Sequence, residues 1–324
     1  MRPIIIPAFA PAATQNLAWV SPFPSSFPLH HRVSCSNNFC ILSSTSSSLS
    51  PRPIALPHSL TLANDFAFTL IATMSSNNKV KYILLDCDNT LCQSERLAFE
   101  ACAELTNEVL KKHDIPDRYD VDSLLEDFVG HNFRNMLIGL QKKHNFTMTA
   151  DEVDEYVAME LGKVTQKLSE KCVECPGVTE QLEWARKQGY PMAVVSTSAK
   201  PRVIASLKKT NLMRFFTDEK VFSAASSMPK PSSKPDPAIY LWACDKLGVK
   251  PEECLTVEDS KSGATAGMRA GIPLIGYVGI YKLEEGAAKE KQMAETLTEV
   301  TKAEVIMYDW KEFPECVKKI EAKL

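Results

Sequence analysis

The chain lacks a surplus of either charge. Its 324 residues carry 37 lysines and arginines against 40 acids. The two signs are interspersed, which leaves no basic stripe for nucleic acid and no patch for an anionic membrane surface, so neither is an expected partner. It also lacks any apolar run near the ~20 residues that a membrane-spanning helix needs. Cys172 and Cys175 have Cys-x-x-Cys spacing but no second such pair follows, and no His-x-His spacing occurs, so a zinc site is not expected. Most of the ten cysteines fall within expected strands and helices, and they read as reduced thiols, many of them buried. The first 73 residues lack lysine altogether and hold one acid, Asp65, with three arginines and many serines and prolines. No helical or strand period is sustained there, and the composition is that of an organellar transit peptide. Residues 1–78 are therefore expected to be a disordered extension remote from the chemistry, with a plastid destination. Translation from Met74 would instead give a cytoplasmic protein.

What is present is concentrated at strand ends. Tyr82-Ile83-Leu84-Leu85 is a continuous apolar run, as expected of a parallel strand buried on both faces. Asp86-Cys87-Asp88-Asn89-Thr90 follows at its carboxyl end, where open α/β sheets place their ligands. Carboxylates two residues apart share a face if the strand continues, and a turn would separate them. Paired buried carboxylates repel, and a hard cation is the usual compensation. Met192-Ala193-Val194-Val195 is a second such run, ending in the hydroxyls Ser196-Thr197-Ser198, which suit a phosphate oxygen. Lys234 lies in Ser233-Lys234-Pro235-Asp236-Pro237, ahead of a helical pattern at Ile239, Tyr240, Ala243 and Leu247. Leu255-Thr256-Val257 is a third strand, followed by Glu258-Asp259-Ser260. Carboxylates, hydroxyls and one cation at one sheet edge are an inventory for phosphoryl transfer.

More than a hundred residues separate Thr90 from Ser196, too many for a βα connection. Leu97, Ala101, Leu105 and Val109 recur every four positions, as do Phe133, Leu137 and then Leu140, and Val153, Val157 and Leu161. Such spacing predicts three or four amphipathic helices forming a small bundle over 95–172, with the core made of 79–94 and 173–324. Within the bundle, Phe128-Val129-Gly130-His131-Asn132-Phe133-Arg134 resembles the substrate-facing loop of caps in sugar-phosphate and phosphogluconate phosphatases, and the resemblance implies that Arg134 can reach an anionic or hydroxylated leaving group. Otherwise Gly130 ends a helix, Asn132 caps the next, and Arg134 is solvated in its first turn.

These segments, in order and spacing, resemble the four motifs of the haloacid dehalogenase superfamily over residues 80–280. The resemblance implies a three-layer, Rossmann-like α/β core with a parallel sheet and a small all-helical cap inserted after the first motif. It implies that Asp86 is the nucleophile and Asp88 the general acid/base. Ser196 and Thr197 would hold phosphate with Lys234, and Asp86 and Asp259 would hold Mg2+ together with the backbone carbonyl of Asp88, with Glu258 either a further ligand or the holder of a metal-bound water. Lys230 competes for the lysine role but lacks the Lys-Pro-Asp-Pro context. Asp88 favours phosphate esters over carbon–halogen bonds, because a halide leaves without a proton. Asn89 replaces the usual glycine and tolerates left-handed backbone angles. The implied activity is that of a Mg2+-dependent phosphatase acting on a small phosphorylated metabolite, a sugar phosphate or sugar-acid phosphate. A β-phosphoglucomutase-like mutase would share all four motifs, and a binding module without turnover is the non-enzymatic alternative. A monomer or weak dimer is expected. Ala8-Phe9-Ala10-Pro11 resembles a plastid-import signal, although the long apolar segment expected before it is missing.

Overall fold

The computed structural model describes residues 78–128 and 131–324. The expected targeting extension, apart from Asn78, lies outside the described residues, as does Gly130. The strands are β1 (Tyr82–Leu85), β2 (Cys92–Gln93), β3 (Val173–Glu174), β4 (Met192–Ser196), β5 (Val221–Ser223), β6 (Cys254–Glu258), β7 (Leu274–Tyr277) and β8 (Val305–Met307). Helices α1 (Glu95–Lys112), α2 (Val121–Phe128), α3 (Phe133–His144) and α4 (Ala150–Lys171) fill the interval between β2 and β3. The rest are α5 (Val178–Lys187), α6 (Lys200–Lys209), α7 (Ala238–Leu247), α8 (Lys261–Ala270), α9 (Gly279–Glu284), α10 (Ala287–Glu299) and α11 (Phe313–Glu321).

Six strands form one parallel sheet in the order β5-β4-β1-β6-β7-β8. Side chains alternate across it. Ile83, Leu85, Met192, Val194, Leu255 and Val257 face the cluster that includes residues of α5, α6 and α11. Leu84, Ala193, Val195 and Cys254 face the opposite cluster, with residues of α7 and α8. Both faces are thus covered, which is why β1 and the first four residues of β4 read as unbroken apolar runs and β6 is buried along its whole length. The chain runs from β1 outward through β4 to β5, then crosses to β6 and continues to β8 on the other side. This reversal puts the topological switch point at β1, between β4 and β6, the crevice where such sheets bind ligands.

The four helices over 95–171 have a hydrophobic cluster of their own, with Leu105, Val109, Leu124, Leu137 and Leu140 fully buried. Asn132 does cap α3, accepting from the Asn135 N–H at 2.9 Å, and Thr149 caps α4, accepting from that of Glu152 at 3.2 Å. The antiparallel β2–β3 pair ties the entry and exit of this insertion together. One expected stripe is displaced. The buried face of α4 runs Val153, Tyr156, Glu160, Val164 and Leu168, whereas Leu161 is exposed. Moreover, Val164 and Leu168 pack with the sheet's cluster while Val153 and Tyr156 pack with the insertion's. No described helix is long and apolar enough to cross a membrane. All eight described cysteines are free and buried.

Trp310 is fully buried, its ring centroid 5.2 Å from that of Phe313 and 5.8 Å from that of Tyr277. Its indole N–H donates to the Thr90 carbonyl at 3.2 Å, bracing the loop after β1 from below. Trp310→Phe keeps an aromatic ring but removes part of the buried indole and leaves that carbonyl without its donor. The expected loss is about 1–3 kcal/mol, read as a lowered midpoint in urea unfolding with an unchanged slope.

Candidate active site

The site is built on the turn that ends β1. The Asp86 N–H continues the ladder, donating to the Val257 carbonyl at 3.1 Å. The chain then reverses tightly, with the N–H groups of both Leu91 and Cys92 donating to the Cys87 carbonyl at 3.0 Å. Asn89 has φ of 56°, in the left-handed region. Its side-chain amide also donates to Glu95 at 2.9 Å, a bond that a glycine could not make. Because of the turn, Asp86 and Asp88 end in different surroundings.

Asp86 faces Lys234. The ammonium group lies 2.6 Å from Asp86 Oδ1, 2.8 Å from the Val195 carbonyl oxygen and 2.6 Å from Glu258 Oε1. Two of its N–H donors go to Asp86 and the Val195 carbonyl, and with Glu258 it forms an ion pair. Tyr240, one turn into α7, donates its hydroxyl to the same Glu258 oxygen and accepts from Thr256 at 2.9 Å. Burial would lower the pKa of Lys234, but Asp86 and Glu258 hold it well above its ordinary value. Burial pushes Asp86 well above the carboxylate range; Lys234 opposes this, while Glu258, Asp259 and Asp88 add to it. Asp259 is likewise raised, by burial and then by Glu258 and Glu95. It is held by Thr90 Oγ1, which donates to Oδ1 at 2.9 Å, and by the Tyr281 hydroxyl, which donates to Oδ2 at 3.2 Å.

Asp88 faces hydroxyls instead. Ser94 donates to Oδ1 at 2.5 Å, and Ser196 and Ser198 donate to Oδ2 at 3.2 and 2.8 Å. Its side chain is not part of the buried acid cluster, in which carboxylate oxygens of Asp86, Glu258 and Asp259 lie within 4.8 Å of one another. Within that cluster, Glu258 Oε2 is buried and has no hydrogen-bond partner among the described residues. An orphaned carboxylate oxygen beside two other buried acids, with a single lysine to balance three charges, fits a hard divalent cation with oxygen ligands.

A cavity of about 290 Å3 opens over this edge. Its polar floor includes Asp86, Asp88, Thr197, Ser198, Lys234 and Asp259, and its far wall comes from α1, α4 and α6. Lys234 lies in the cavity, whereas Lys230 is exposed and outside it. Ser196 is fully buried beneath the floor, pointing at Asp88, while its neighbours Thr197 and Ser198 face the cavity. Arg134 is not brought here. It pairs with Asp154 on the exposed first turn of α3, at 2.5 Å. Sequence reading missed Ser94, Glu95, Tyr240 and Tyr281 as site residues. Each lies on a helix or at its start with no local signal of its partner, although Tyr240 appeared as part of an apolar pattern.

Comparison with known proteins agrees with this arrangement. The family model for haloacid dehalogenase-like hydrolases matches residues 83–277, from β1 through β7. The chain belongs to that family. A phosphorylated carbohydrates phosphatase of Thermotoga maritima is 28% identical over 215 residues, covering 64% of this chain and 88% of the relative. A 6-phosphogluconate phosphatase of Escherichia coli is 26% identical over 195 residues, covering 60% and 81%. A solved structure of a β-phosphoglucomutase-like protein of Thermotoga maritima, described as putative, superimposes with a TM-score of 0.55 at 25% identity, over 74% of this chain and 99% of that one. In this haloacid dehalogenase-like hydrolase, the helices over 95–171 are an all-helical insertion into the α/β core, between β2 and β3.

The acid cluster depends on one glycine. A Cβ at Gly263, in the first turn of α8, would lie 1.8 Å from Glu258 Oε2. Gly→Ala inside a helix ordinarily stabilises by up to about 1 kcal/mol, but here it must displace the carboxylate. Gly263→Ala is expected to weaken divalent-cation binding, probed with Mg2+ in a calorimetric titration, about tenfold or more, equivalent to about 1.4 kcal/mol, with the circular dichroism spectrum retained.

Proposed function

We propose that this hydrolase cleaves phosphoric monoesters of small metabolites, sugar phosphates or sugar-acid phosphates, through an aspartyl-phosphate on Asp86. The observation that carries this reading is the separation of two aspartates by one turn: Asp86 lies beside a buried ammonium, and Asp88 within a ring of hydroxyls. The names of the two relatives, both phosphatases, support it. An Asp86 carboxylate oxygen attacks phosphorus, the ester P–O bond breaks, and protonated Asp88 gives its proton to the departing oxygen. Water then attacks the aspartyl-phosphate and passes a proton to Asp88. The P–O bond to Asp86 breaks, releasing phosphate and restoring both residues. Lys234 orients Asp86 and balances charge there. Thr197 and Ser198 offer hydroxyls, and Ser196 supports them by accepting from the Ser198 N–H at 3.0 Å. Asp86, Glu258 and Asp259, with the Asp88 carbonyl, would hold Mg2+, which when bound screens the nucleophile from the phosphate and stabilises charge on its oxygens. The cap covers the cavity and limits entry of water.

Residues 79–94 and 173–324 are proposed as the core and 95–172 as the cap. The composition of residues 1–73 supports plastid import, which a fluorescent fusion of residues 1–78 tests; cytoplasmic fluorescence would point to translation from Met74.

The test of activity uses residues 74–324 with Mg2+ and a panel of phosphorylated metabolites, reading both free phosphate and isomerised sugar. Phosphate release is expected, and it should be lost with chelator and in Asp86→Asn. Asp88→Asn should slow turnover by about 10²–10⁴-fold, the usual contribution of general acid–base catalysis. Glucose 6-phosphate from β-glucose 1-phosphate without free phosphate would make the protein a mutase, and full activity in Asp86→Asn would refute its role as nucleophile.

A further inference from the structure

Two cations line the cavity among the described residues, Lys234 and Arg202. Lys234 is committed at the cavity floor to Asp86, Glu258 and the Val195 carbonyl. Arg202 differs. It stands in the first turn of α6, and only its Nη2 is engaged, in an ion pair with Glu160 on α4 of the cap. Its Nε is buried without a partner, and Nη1 has none among the described residues.

The pair is placed where packing alone would favour aliphatic side chains. Glu160 is 8% exposed, in the middle of the buried face of α4, and its other oxygen meets only the Cys102 thiol, at 3.9 Å. Replacing a buried ion pair with apolar residues of similar volume is often neutral or stabilising, so its presence is not explained by stability. Ala98, Val164 and Leu168 line the same side of the cavity. Aliphatic neighbours reduce screening and strengthen the attraction of a guanidinium for an anion. A planar guanidinium with unused N–H groups matches a carboxylate or phosphate in geometry as well as charge. The remaining charges on the cavity wall, Asp86, Asp88, Glu95 and Asp259, are acidic and would repel such an anion.

We propose that Arg202 recognises an anionic group, a carboxylate or a second phosphate, on the leaving-group side of the substrate. The enzyme thereby selects phosphomonoesters whose alcohol is itself charged, and Glu160 positions the guanidinium. This inference rests on the phosphatase reading and names the substrate class within it.

The experiment compares kcat and KM for 2-phosphoglycolate, glucose 1,6-bisphosphate, glucose 6-phosphate and phenyl phosphate in the wild type, Arg202→Met, Arg202→Lys and Glu160→Gln. Arg202→Met is expected to raise KM about tenfold or more for the substrate with the recognised anion, equivalent to about 1.4 kcal/mol. Phenyl phosphate should be nearly unaffected and Arg202→Lys should partly restore discrimination. A larger loss for 2-phosphoglycolate assigns a carboxylate, and a larger loss for the bisphosphate a second phosphate. Equal losses on all four substrates, matched by Glu160→Gln, would reduce the pair to a cap-to-core latch and overturn the proposal. Calorimetric titration of 2-phosphoglycolate, glucose 1,6-bisphosphate and inorganic phosphate into the Asp86→Asn protein, with and without Arg202→Lys, reads recognition independently of turnover. Weaker binding of at least one organic ligand, with inorganic phosphate unchanged, supports Arg202 even where no substrate is hydrolysed. Unchanged binding of both organic ligands overturns it.

Discussion

The buried ammonium of Lys234 is the constraint around which the rest is arranged. Three carboxylates with oxygens within 4.8 Å would repel strongly in a site shielded from water. Lys234 offsets part of that repulsion through direct contacts to two of them, and it also donates to the carbonyl of Val195 on β4. Its reach is set by the chain between β5 and α7. Tyr240 on α7 closes the network by bonding to Glu258 and Thr256, and the single proton of the Thr256 hydroxyl is shared between the Tyr240 oxygen at 2.9 Å and the Leu84 carbonyl at 3.0 Å. Strands β1, β4 and β6 are thus linked to α7 by one polar cluster beneath the site. The charge left over, together with the partnerless Glu258 oxygen, makes the cluster receptive to a divalent cation.

One turn gives two aspartates different work. Had β1 continued straight, residues 86 and 88 would have faced the same way. The reversal at Asn89 instead turns Asp88 into hydroxyls supplied by β4, its following loop and the start of α1. Thr90 and Trp310 hold that turn from two sides, through Asp259 and through the Thr90 carbonyl. An acid beside a cation and an acid among neutral donors can perform different proton and bond-making steps although their residue types are identical.

The cap is joined to the core through shared packing as well as through the β2–β3 strands. Helix α4 contributes its first half to the cap's cluster and its second half to the core's, with Glu160 between the two. Arg202 meets it there from the core side. Recognition of a leaving group at this junction would couple what the substrate carries to how cap and core are held.

What the sequence by itself determined was everything that repeats locally. Apolar runs marked β1 and β4, the short Leu255-Thr256-Val257 segment marked β6, four-residue spacing marked three of the four inserted helices, and the acids, hydroxyls and lysine at strand ends marked the edge where the cavity lies, because a parallel sheet collects its carboxyl ends on one side. The tertiary structure alone decided which of those side chains meet. It placed Ser196 under the floor and Ser198 in it, sent Arg134 to Asp154, brought Tyr240 to Glu258 and Tyr281 to Asp259, and ran the buried face of α4 through Glu160 rather than Leu161. The physical reason is that periodicity records which residues leave water, whereas a buried charge is tolerated only with its partner. For Glu160 that partner is Arg202, 42 positions along the chain, and no local pattern can contain it.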